Sequence, residues 1–316
     1  MKILSARPWE DWEKELIAQV VEDAVFLEAR AEPGQTLEDL VMEADVLYGF
    51  PRFPMDAIVR SPSLKLIHVA STGVDSLLTP EFRKSPIVLT NSRGVHADPV
   101  AEHALALMFA VAYGFRANHA RQTARIWAET PSTRLYGKTA GLLGLGAIGQ
   151  GIAKRCKGLD MRVIGLRRTT GDGGPYVDET MTLEGFPRLL ALSDFVLCSL
   201  PLTQETLHLL TLREFTMMKP TAFLINVGRG AVIKEDDLVQ ALSFGIIAGA
   251  GLDVFEEEPL PSSSPLWGME NVVITPHAAG PASENRRKSF DILLENLGRL
   301  QRGEPLLNQV DKVLGY

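Results

Sequence analysis

The chain has 316 residues, enough for two domains of ordinary size, and its 46% hydrophobic and 22% charged residues are typical of a globular protein. Its formal charge of −7 argues against a nucleic-acid or anionic-membrane surface, which would need a basic field. The longest apolar run, residues 104–115, is shorter than the roughly 20 residues that span a bilayer. Because the N-terminal residues also lack the apolar core of a signal peptide, we expect a cytoplasmic protein with no membrane or nucleic-acid partner.

The first part of the chain alternates β-like runs with amphipathic segments. A helix is predicted over residues 9–21, where Trp12, Leu16, Ile17 and Val20 recur at helical spacing. Alternation of this kind is typical of parallel strands joined by crossover helices, and it predicts a small α/β domain. The predicted strands of this domain are residues 2–5, 24–28, 46–49, 66–70 and 88–91.

A second α/β series begins at Lys138, after a long apolar helix predicted from Pro99 to about Ala120. We expect that helix to be buried between two domains, and residues 121–137 to be irregular. The apolar stripe of residues 283–300 predicts a last helix that returns to the first domain. Six strands are predicted in the second series, the number in a full dinucleotide-binding sheet: 139–143, 161–166, 195–199, 222–226, 248–252 and 272–275.

The segment TAGLLGLGAIG, residues 139–149, reads as a strand, a glycine turn and the start of a helix. Such a turn lets the backbone approach a pyrophosphate, which the helix N-terminus then stabilises. Arg167 and Arg168 end the next predicted strand, where an acid for the ribose 2′-hydroxyl usually stands, so a 2′-phosphate is favoured. NADP(H) is therefore the predicted cofactor, with NAD(H) possible. The turn residues predicted to bind it are Gly144, Gly146, Ala147, Ile148 and Gly149.

Three further segments follow predicted strands in the second half. INVGRG contains Arg229, LDVFEEEP contains Asp253 and three glutamates, and TPHAAG contains His277. In an open parallel sheet, ligands bind outside the carboxyl ends of the strands, so an arginine, an acid and a histidine could meet there. Taken singly, each has an ordinary alternative as a surface or loop residue.

Together with GLGAIG and CSLPLT, these segments stand in the order and spacing of one family. Over essentially its whole length, the chain resembles the D-isomer-specific 2-hydroxyacid dehydrogenases. The arginine pair makes it most similar to the NADPH-dependent glyoxylate/hydroxypyruvate reductase branch. The resemblance implies an α/β fold with two doubly wound parallel-sheet domains. These are a Rossmann dinucleotide-binding domain, residues 97–283, and a smaller flavodoxin-like substrate domain, residues 1–96 and 284–316.

The resemblance also implies three catalytic residues: Arg229 binds the substrate, His277 is the acid/base, and Glu258 is its carboxylate partner. This assignment agrees with the chemistry of reducing a 2-keto acid. The guanidinium fork of Arg229 can span the carboxylate and carbonyl oxygens. A histidine titrates near neutral pH, and a neighbouring carboxylate favours the protonated form that donates to the new alkoxide.

Binding residues are implied in the same way. Pro201 and Thr206 of the CSLPLT region match cofactor contacts, and Asp253 matches the acid near the nicotinamide carboxamide. In the first domain, the backbone amides of Thr72 and Gly73 would hold the substrate carboxylate. The resulting prediction is an oxidoreductase that transfers a hydride from NADPH to a small 2-keto acid to give a D-2-hydroxy acid.

Two alternatives stay open for the function. One is an NAD-dependent dehydrogenase of the same family, such as a 3-phosphoglycerate dehydrogenase, which the arginine pair disfavours. The other is a non-catalytic dinucleotide sensor, since some family members, the C-terminal-binding proteins, are transcriptional co-repressors. A homodimer is expected from the resemblance, with the apolar helix near residues 100–120 as the contact.

Several other residues are given ordinary structural interpretations. The remaining histidines show no metal-ligand spacing, so no metal is predicted, and His68 is expected in the core. Trp127 could reach an active site, including a partner subunit's, but packing is the favoured interpretation. The others fall into three groups: buried free thiols, Cys156 and Cys198; solvated acids, Glu256 and Glu257; and residues that could line a substrate pocket, Tyr48, Phe50 and Arg52.

Overall fold

The chain folds into two compact units, residues 1–96 with 282–316 and residues 97–281. The computed structural model describes residues 1–30, 35–49, 53–169, 171–280 and 282–316, and only the backbone of residues 282–284. The first unit ends at residue 96 and resumes at residue 282, and the bounds predicted from the sequence are 96 and 284.

The first unit is built on a five-stranded sheet in which every described pairing is parallel. The strand order is β2-β1-β3-β4-β5, the flavodoxin-like doubly wound order. The strands are β1 Lys2–Ser5, β2 Val25–Glu28, β3 Val46–Tyr48, β4 Leu66–Val69 and β5 Val88–Asn91. The helices between them are α1 Asp11–Val20, α2 Leu37–Glu43, α3 Met55–Arg60 and α4 Pro80–Lys84.

The second unit has a seven-stranded sheet, again with all described pairings parallel. Its strands are β6 Thr139–Leu143, β7 Arg162–Leu166, β8 Glu179–Met181, β9 Phe195–Cys198, β10 Phe223–Asn226, β11 Gly249–Leu252 and β12 Val272–Ile274. Its helices are α5 Ala97–Ala112, α6 Phe115–Ala124, α7 Ala147–Gly158, α8 Phe186–Leu192, α9 Leu212–Met217 and α10 Glu235–Ser243.

The order of this sheet, β12-β11-β10-β9-β6-β7-β8, places the chain reversal between β6 and β9. This is the Rossmann order extended by one strand, and it confirms the predicted fold class. The crevice of such a sheet opens where the order reverses, beyond the carboxyl ends of β6 and β9.

The last helix, α11 Ala282–Arg302, belongs to the first unit. Its Phe290, Leu293 and Leu297 are buried with Ile3 of β1 and Ile17 of α1. Its apolar stripe therefore completes the core of the first unit.

Two predictions about elements were wrong. The sheet of the second unit has a seventh strand, β8, which sequence reasoning missed because it is an edge strand of three residues without an apolar pattern. The helix predicted from Pro99 to Ala120 is two helices, because the chain takes a left-handed conformation at Gly114, with φ 58°. The buried residues of α5 pack against the strands of the second unit, whereas α6 buries no residue.

The two cysteines lie in the core of the second unit, on α7 and at the end of β9. Burial raises the pKa of Cys156 to about 12 and that of Cys198 to about 11. Both are free and buried, as predicted. His68 is also buried as predicted, in β4, with Nδ1 2.9 Å from Thr90 Oγ1. Burial lowers the pKa of His68 to about 4.

Of the described helices, none is both long enough and apolar enough to cross a membrane.

Candidate active site

The glycine turn lies between β6 and α7, as predicted. A Cβ on Gly149 would lie 2.1 Å from the carbonyl oxygen of Gly144, so only glycine fits there. Within the part of the chain that the structure describes, the amides of residues 145–148 donate no hydrogen bond to protein atoms. The helix start therefore presents unused donors at the carboxyl end of β6, which suits a pyrophosphate.

Arg167 and Arg168 follow β7 at the same edge of the sheet. The Arg167 guanidinium donates to the carbonyl of Asp172 and so braces the loop that follows it. Gln150, in the first turn of α7, donates to the carbonyl of Gly173 at 2.5 Å. The glycine turn and the arginine loop are therefore joined directly at this edge of the sheet.

Pro201 and Thr206 lie together in the turn after β9. The Thr206 hydroxyl donates to the Pro201 carbonyl at 2.7 Å and accepts from the Thr203 amide at 2.8 Å. The Thr206 side chain therefore holds the turn after β9, one of the two strands between which the strand order reverses.

Arg229 stands between two glycines just after β10. The Asn226 side chain holds this loop, donating to the Arg229 carbonyl at 3.1 Å and accepting from the Gly228 amide at 3.1 Å. A Cβ on Gly230 would lie 1.8 Å from the carbonyl carbon of Phe255. The Arg229 loop therefore packs, backbone against backbone, on the loop that leads to Glu258.

Glu258 and His277 form a direct pair. Oε2 of Glu258 lies 2.7 Å from Nδ1 of His277, and Oε1 accepts from the Phe255 amide at 3.0 Å. Because the carboxylate accepts a hydrogen bond from Nδ1–H, the Nε2 atom of His277 is left for a substrate. The His277 side chain is 51% exposed, so this nitrogen is accessible.

The backbone at His277 is unusual for a residue with a side chain. Its φ is 51°, in the left-handed region, and its amide donates to the Asp253 carbonyl at 2.8 Å. Non-glycine residues hold this conformation only where the surroundings impose it, and such positions are common at functional sites.

Asp253 is fully buried beneath that loop. Its Oδ1 accepts from the Ala278 amide at 2.8 Å and from the Thr275 hydroxyl at 2.6 Å, and its Oδ2 accepts from the Ala279 amide at 3.1 Å. Sequence reasoning assigned Asp253 to the cofactor. In this structure its carboxylate binds the protein's own loop on both sides of His277.

Glu256 is exposed, as expected, but it also makes two hydrogen-bond contacts with the protein. Its carboxylate lies 2.5 Å from Nε2 of His208 and accepts from the Glu235 amide at 2.7 Å. Burial, together with the charge of Glu256, raises the pKa of Glu235. Glu257 is exposed, as predicted. The glutamate run therefore contains two exposed acids, one of which, Glu256, also braces the loop, and one partner of His277.

In the first unit, Thr72 and Gly73 lie in the segment after β4. The Asn91 side chain donates to the Thr72 carbonyl at 2.7 Å, and the Ser92 amide donates to the Ser71 carbonyl at 3.0 Å. Among the described residues, the amides of Thr72 and Gly73 have no protein acceptor. This backbone is fixed from behind and keeps two donors for an anion.

Some predicted pocket and packing residues are placed differently. Tyr48 is buried and stacked on Trp9, so it lines no pocket within the first unit, and Phe50 and Arg52 lie outside the described residues. Trp127 is fully exposed, so the expectation that it packs is wrong for the single chain. Sequence reasoning also missed His103, whose Nε2 lies 2.8 Å from Thr275 Oγ1. Thr275 stands two residues before His277, but nothing in the sequence marks His103.

Within the described ranges, no cluster of three or more histidine, cysteine, aspartate or glutamate side chains could hold a metal ion.

Comparisons with known proteins agree with this geometry. The family profile of the D-isomer specific 2-hydroxyacid dehydrogenase NAD binding domain matches residues 105–279. The glyoxylate reductase of Thermococcus litoralis is 36% identical over 314 residues, which cover 94% of this chain and 92% of that protein.

Solved structures match over the whole length. A D-isomer specific 2-hydroxyacid dehydrogenase from Xanthobacter autotrophicus, in complex with NADPH and MES, is 32% identical with a TM-score of 0.85, covering 100% of this chain and 99% of that one. An NADPH-dependent glyoxylate/hydroxypyruvate reductase from Sinorhizobium meliloti, in complex with NADP and sulfate, is 26% identical with a TM-score of 0.84 and the same coverage. The resemblance that the motifs predicted is confirmed.

Proposed function

Because the chain belongs to the D-isomer specific 2-hydroxyacid dehydrogenase family, we propose that it is an NADPH-preferring reductase of small 2-keto acids. Its substrates are of the glyoxylate and hydroxypyruvate type, and its products are D-2-hydroxy acids. The observation that carries the proposal is the Glu258–His277 pair, which leaves Nε2 of an exposed histidine for a substrate. The Arg229 loop packs on the loop that leads to Glu258.

A bound reduced dinucleotide supplies the hydride for the carbonyl carbon. The residues of the chain do the rest of the work. Arg229 binds the carboxylate and the carbonyl oxygen, which neutralises the charge that develops on that oxygen. His277, as the imidazolium, donates the Nε2 proton to the same oxygen, and Glu258 accepts the hydrogen bond from Nδ1–H and so orients the ring. In the first unit, the amides of Thr72 and Gly73 bind the substrate carboxylate.

The fit to a nicotinamide dinucleotide rests on the open amides at residues 145–148 and on the turn that only Gly149 permits. The preference for the phosphorylated form rests on Arg167 and Arg168, which are cations where the ribose 2′ position would lie. The complexes of two structural neighbours with NADPH and NADP are consistent with this preference.

The proposal includes a cytoplasmic homodimer. The buried apolar residues of α5 pack inside the second unit. The exposed apolar side chains that follow this helix are a better candidate for the dimer contact, namely Phe115, Ile126, Trp127 and Tyr136.

A steady-state panel tests the function. Glyoxylate, hydroxypyruvate, pyruvate and a bulkier 2-keto acid are each assayed with NADPH and with NADH, and the chirality of the product from hydroxypyruvate is determined. We expect the highest kcat/KM with glyoxylate or hydroxypyruvate and NADPH, and a D product. Dinucleotide binding without turnover of any 2-keto acid would indicate the sensor, and a preference for NADH would indicate the NAD-linked dehydrogenase.

A further inference from the structure

We propose that His103 is a positioning residue of the active site. It ends a chain of directed hydrogen bonds that runs through Thr275 to the buried Asp253 and fixes the loop that carries His277. The proposal rests on the proposed role of His277 as the proton donor. It gives Asp253 the task of holding this loop, where the family resemblance gives it a contact with the cofactor.

The three side chains come from three separate elements of the second unit. His103 is on α5, Asp253 follows β11, and Thr275 follows β12. The distance from His103 Nε2 to Thr275 Oγ1 is 2.8 Å, and from Thr275 Oγ1 to Asp253 Oδ1 it is 2.6 Å. His103 Nε2 also lies 3.3 Å from the same Asp253 oxygen. The side chain of Asp253 is fully buried and that of His103 is 22% exposed, so water competes little for these bonds.

The direction of each bond follows from the donors available. Asp253 accepts the amides of Ala278 and Ala279, as an ionised carboxylate does. Thr275 therefore gives its single hydroxyl proton to Asp253, and its oxygen accepts from His103. It follows that His103 carries a proton on Nε2, as either the neutral Nε2–H tautomer or the imidazolium.

The chain matters for His277 because its contacts lie on both sides of that residue. Thr275 precedes His277, and the amides that Asp253 binds, those of Ala278 and Ala279, follow it. Between them the backbone is held at a φ of 51°. Loss of the His103 donor removes one contact to the Thr275 oxygen and one to the Asp253 carboxylate, so the two groups that hold the His277 backbone in this conformation are less firmly placed.

Paired substitutions test the proposal. His103→Leu and Thr275→Val remove one member each, and we expect each to lower kcat for 2-keto acid reduction about tenfold, since small misplacements of a catalytic group are costly. His103→Gln keeps a side-chain N–H donor and Thr275→Ser keeps the hydroxyl, so each should recover to within about threefold of the wild type. Because both residues hold the same Asp253 carboxylate, His103→Leu/Thr275→Val should lose less than the product of the two single losses.

The control is Ser193→Ala, which removes another side-chain hydroxyl bond of the same unit, to the Leu189 carbonyl at 2.7 Å. It should change the melting temperature but not kcat. The proposal is overturned if His103→Leu leaves kcat unchanged, if the double variant shows the product of the two single losses, or if the losses appear only in the KM for NADPH.

A second readout does not depend on turnover. Nitrogen-15 NMR of labelled histidines, with His103 assigned by comparison with His103→Gln, should show a protonated Nε2. A neutral Nδ1–H tautomer would overturn the hydrogen-bond direction even if no substrate is found. If His277→Ala retains activity, the proposed function fails, whereas an inactive His277→Ala beside a normal His103→Leu removes only the present inference.

Discussion

The two units offer different groups at the carboxyl ends of their sheets. Besides its open amides at residues 145–148, the second unit offers side chains, above all His277, and a buried carboxylate, Asp253, holds the His277 loop. In the first unit the open groups are the backbone amides of Thr72 and Gly73, and a buried side chain, Asn91, holds the loop from behind.

This difference separates two kinds of mutational effect. A substitution among the side chains of the second unit removes a reacting or binding group, so it should appear in kcat or in cofactor selectivity. A substitution behind the backbone loop of the first unit only moves that loop, so it should appear in the KM for the 2-keto acid.

The largest effect is expected for His277→Ala. Loss of the proton donor should lower kcat by two or more orders of magnitude, the range of general acid catalysis. The KM for NADPH should change little, because the glycine turn and the arginine loop are untouched. Steady-state kinetics measure both values, and near-normal turnover would remove His277 from the mechanism.

The next effect concerns cofactor selectivity. Arg167→Gln/Arg168→Gln should raise the KM for NADPH about tenfold or more and leave that for NADH nearly unchanged, because the charged partners of the 2′-phosphate are lost. Arg188→Gln is the matched control, since Arg188 pairs with Glu179 elsewhere on the same unit. Equal changes with both cofactors would contradict the role of the arginine pair.

A smaller effect is expected in the first unit. Asn91→Ala removes the bond to the Thr72 carbonyl, which contributes about 1 kcal/mol, so the KM for the 2-keto acid should rise about fivefold. Asn271→Ala, which removes an asparagine bond to the Ala248 carbonyl in the second unit, should leave this KM unchanged. A fall in kcat at constant KM for Asn91→Ala would contradict the comparison.

The smallest effect is on stability in acid. Since burial lowers the pKa of His68 to about 4, the unfolded chain binds this proton below about pH 6.5 and the folded chain does not. His68 therefore lowers stability as the pH falls from about 6.5 towards 4. Between pH 7 and 5.5 the free energy of unfolding, measured by urea denaturation, should fall by about 1 kcal/mol more for the wild type than for His68→Gln. The control is His119→Gln at an exposed position, which should show the same pH dependence of the free energy of unfolding as the wild type. If His68→Gln also shows the wild-type pH dependence, the assignment to His68 is refuted.

Much of the fold was readable because it depends on local patterns. The alternation of apolar runs and helices predicted both sheets, and the glycine spacing predicted the turn that Gly149 makes possible. The edge strand β8 could not be predicted, since three residues carry no periodicity and its position depends on pairing with β7. The break between α5 and α6 was missed because Gly114 can also be tolerated inside a helix.

For the candidate site, the sequence predicts only those residues that belong to family motifs. Arg229, Glu258 and His277 follow strands at positions that the family resemblance marks, and the structure pairs two of them. The contact between His103 and Thr275 spans 172 positions of sequence, and only the packing of α5 beside β12 brings the two together. Long-range side-chain contacts of this kind leave no signature in a single sequence.

The two buried thiols have a practical consequence. Thiol reagents attack the thiolate, and burial both shields the sulfur atoms and raises the pKa of Cys156 and Cys198 to about 12 and about 11. Both cysteines of the chain lie in the second unit. The rate of their modification under native conditions therefore measures how often the second unit opens. Opening of the first unit does not change this rate, because that unit contains no cysteine.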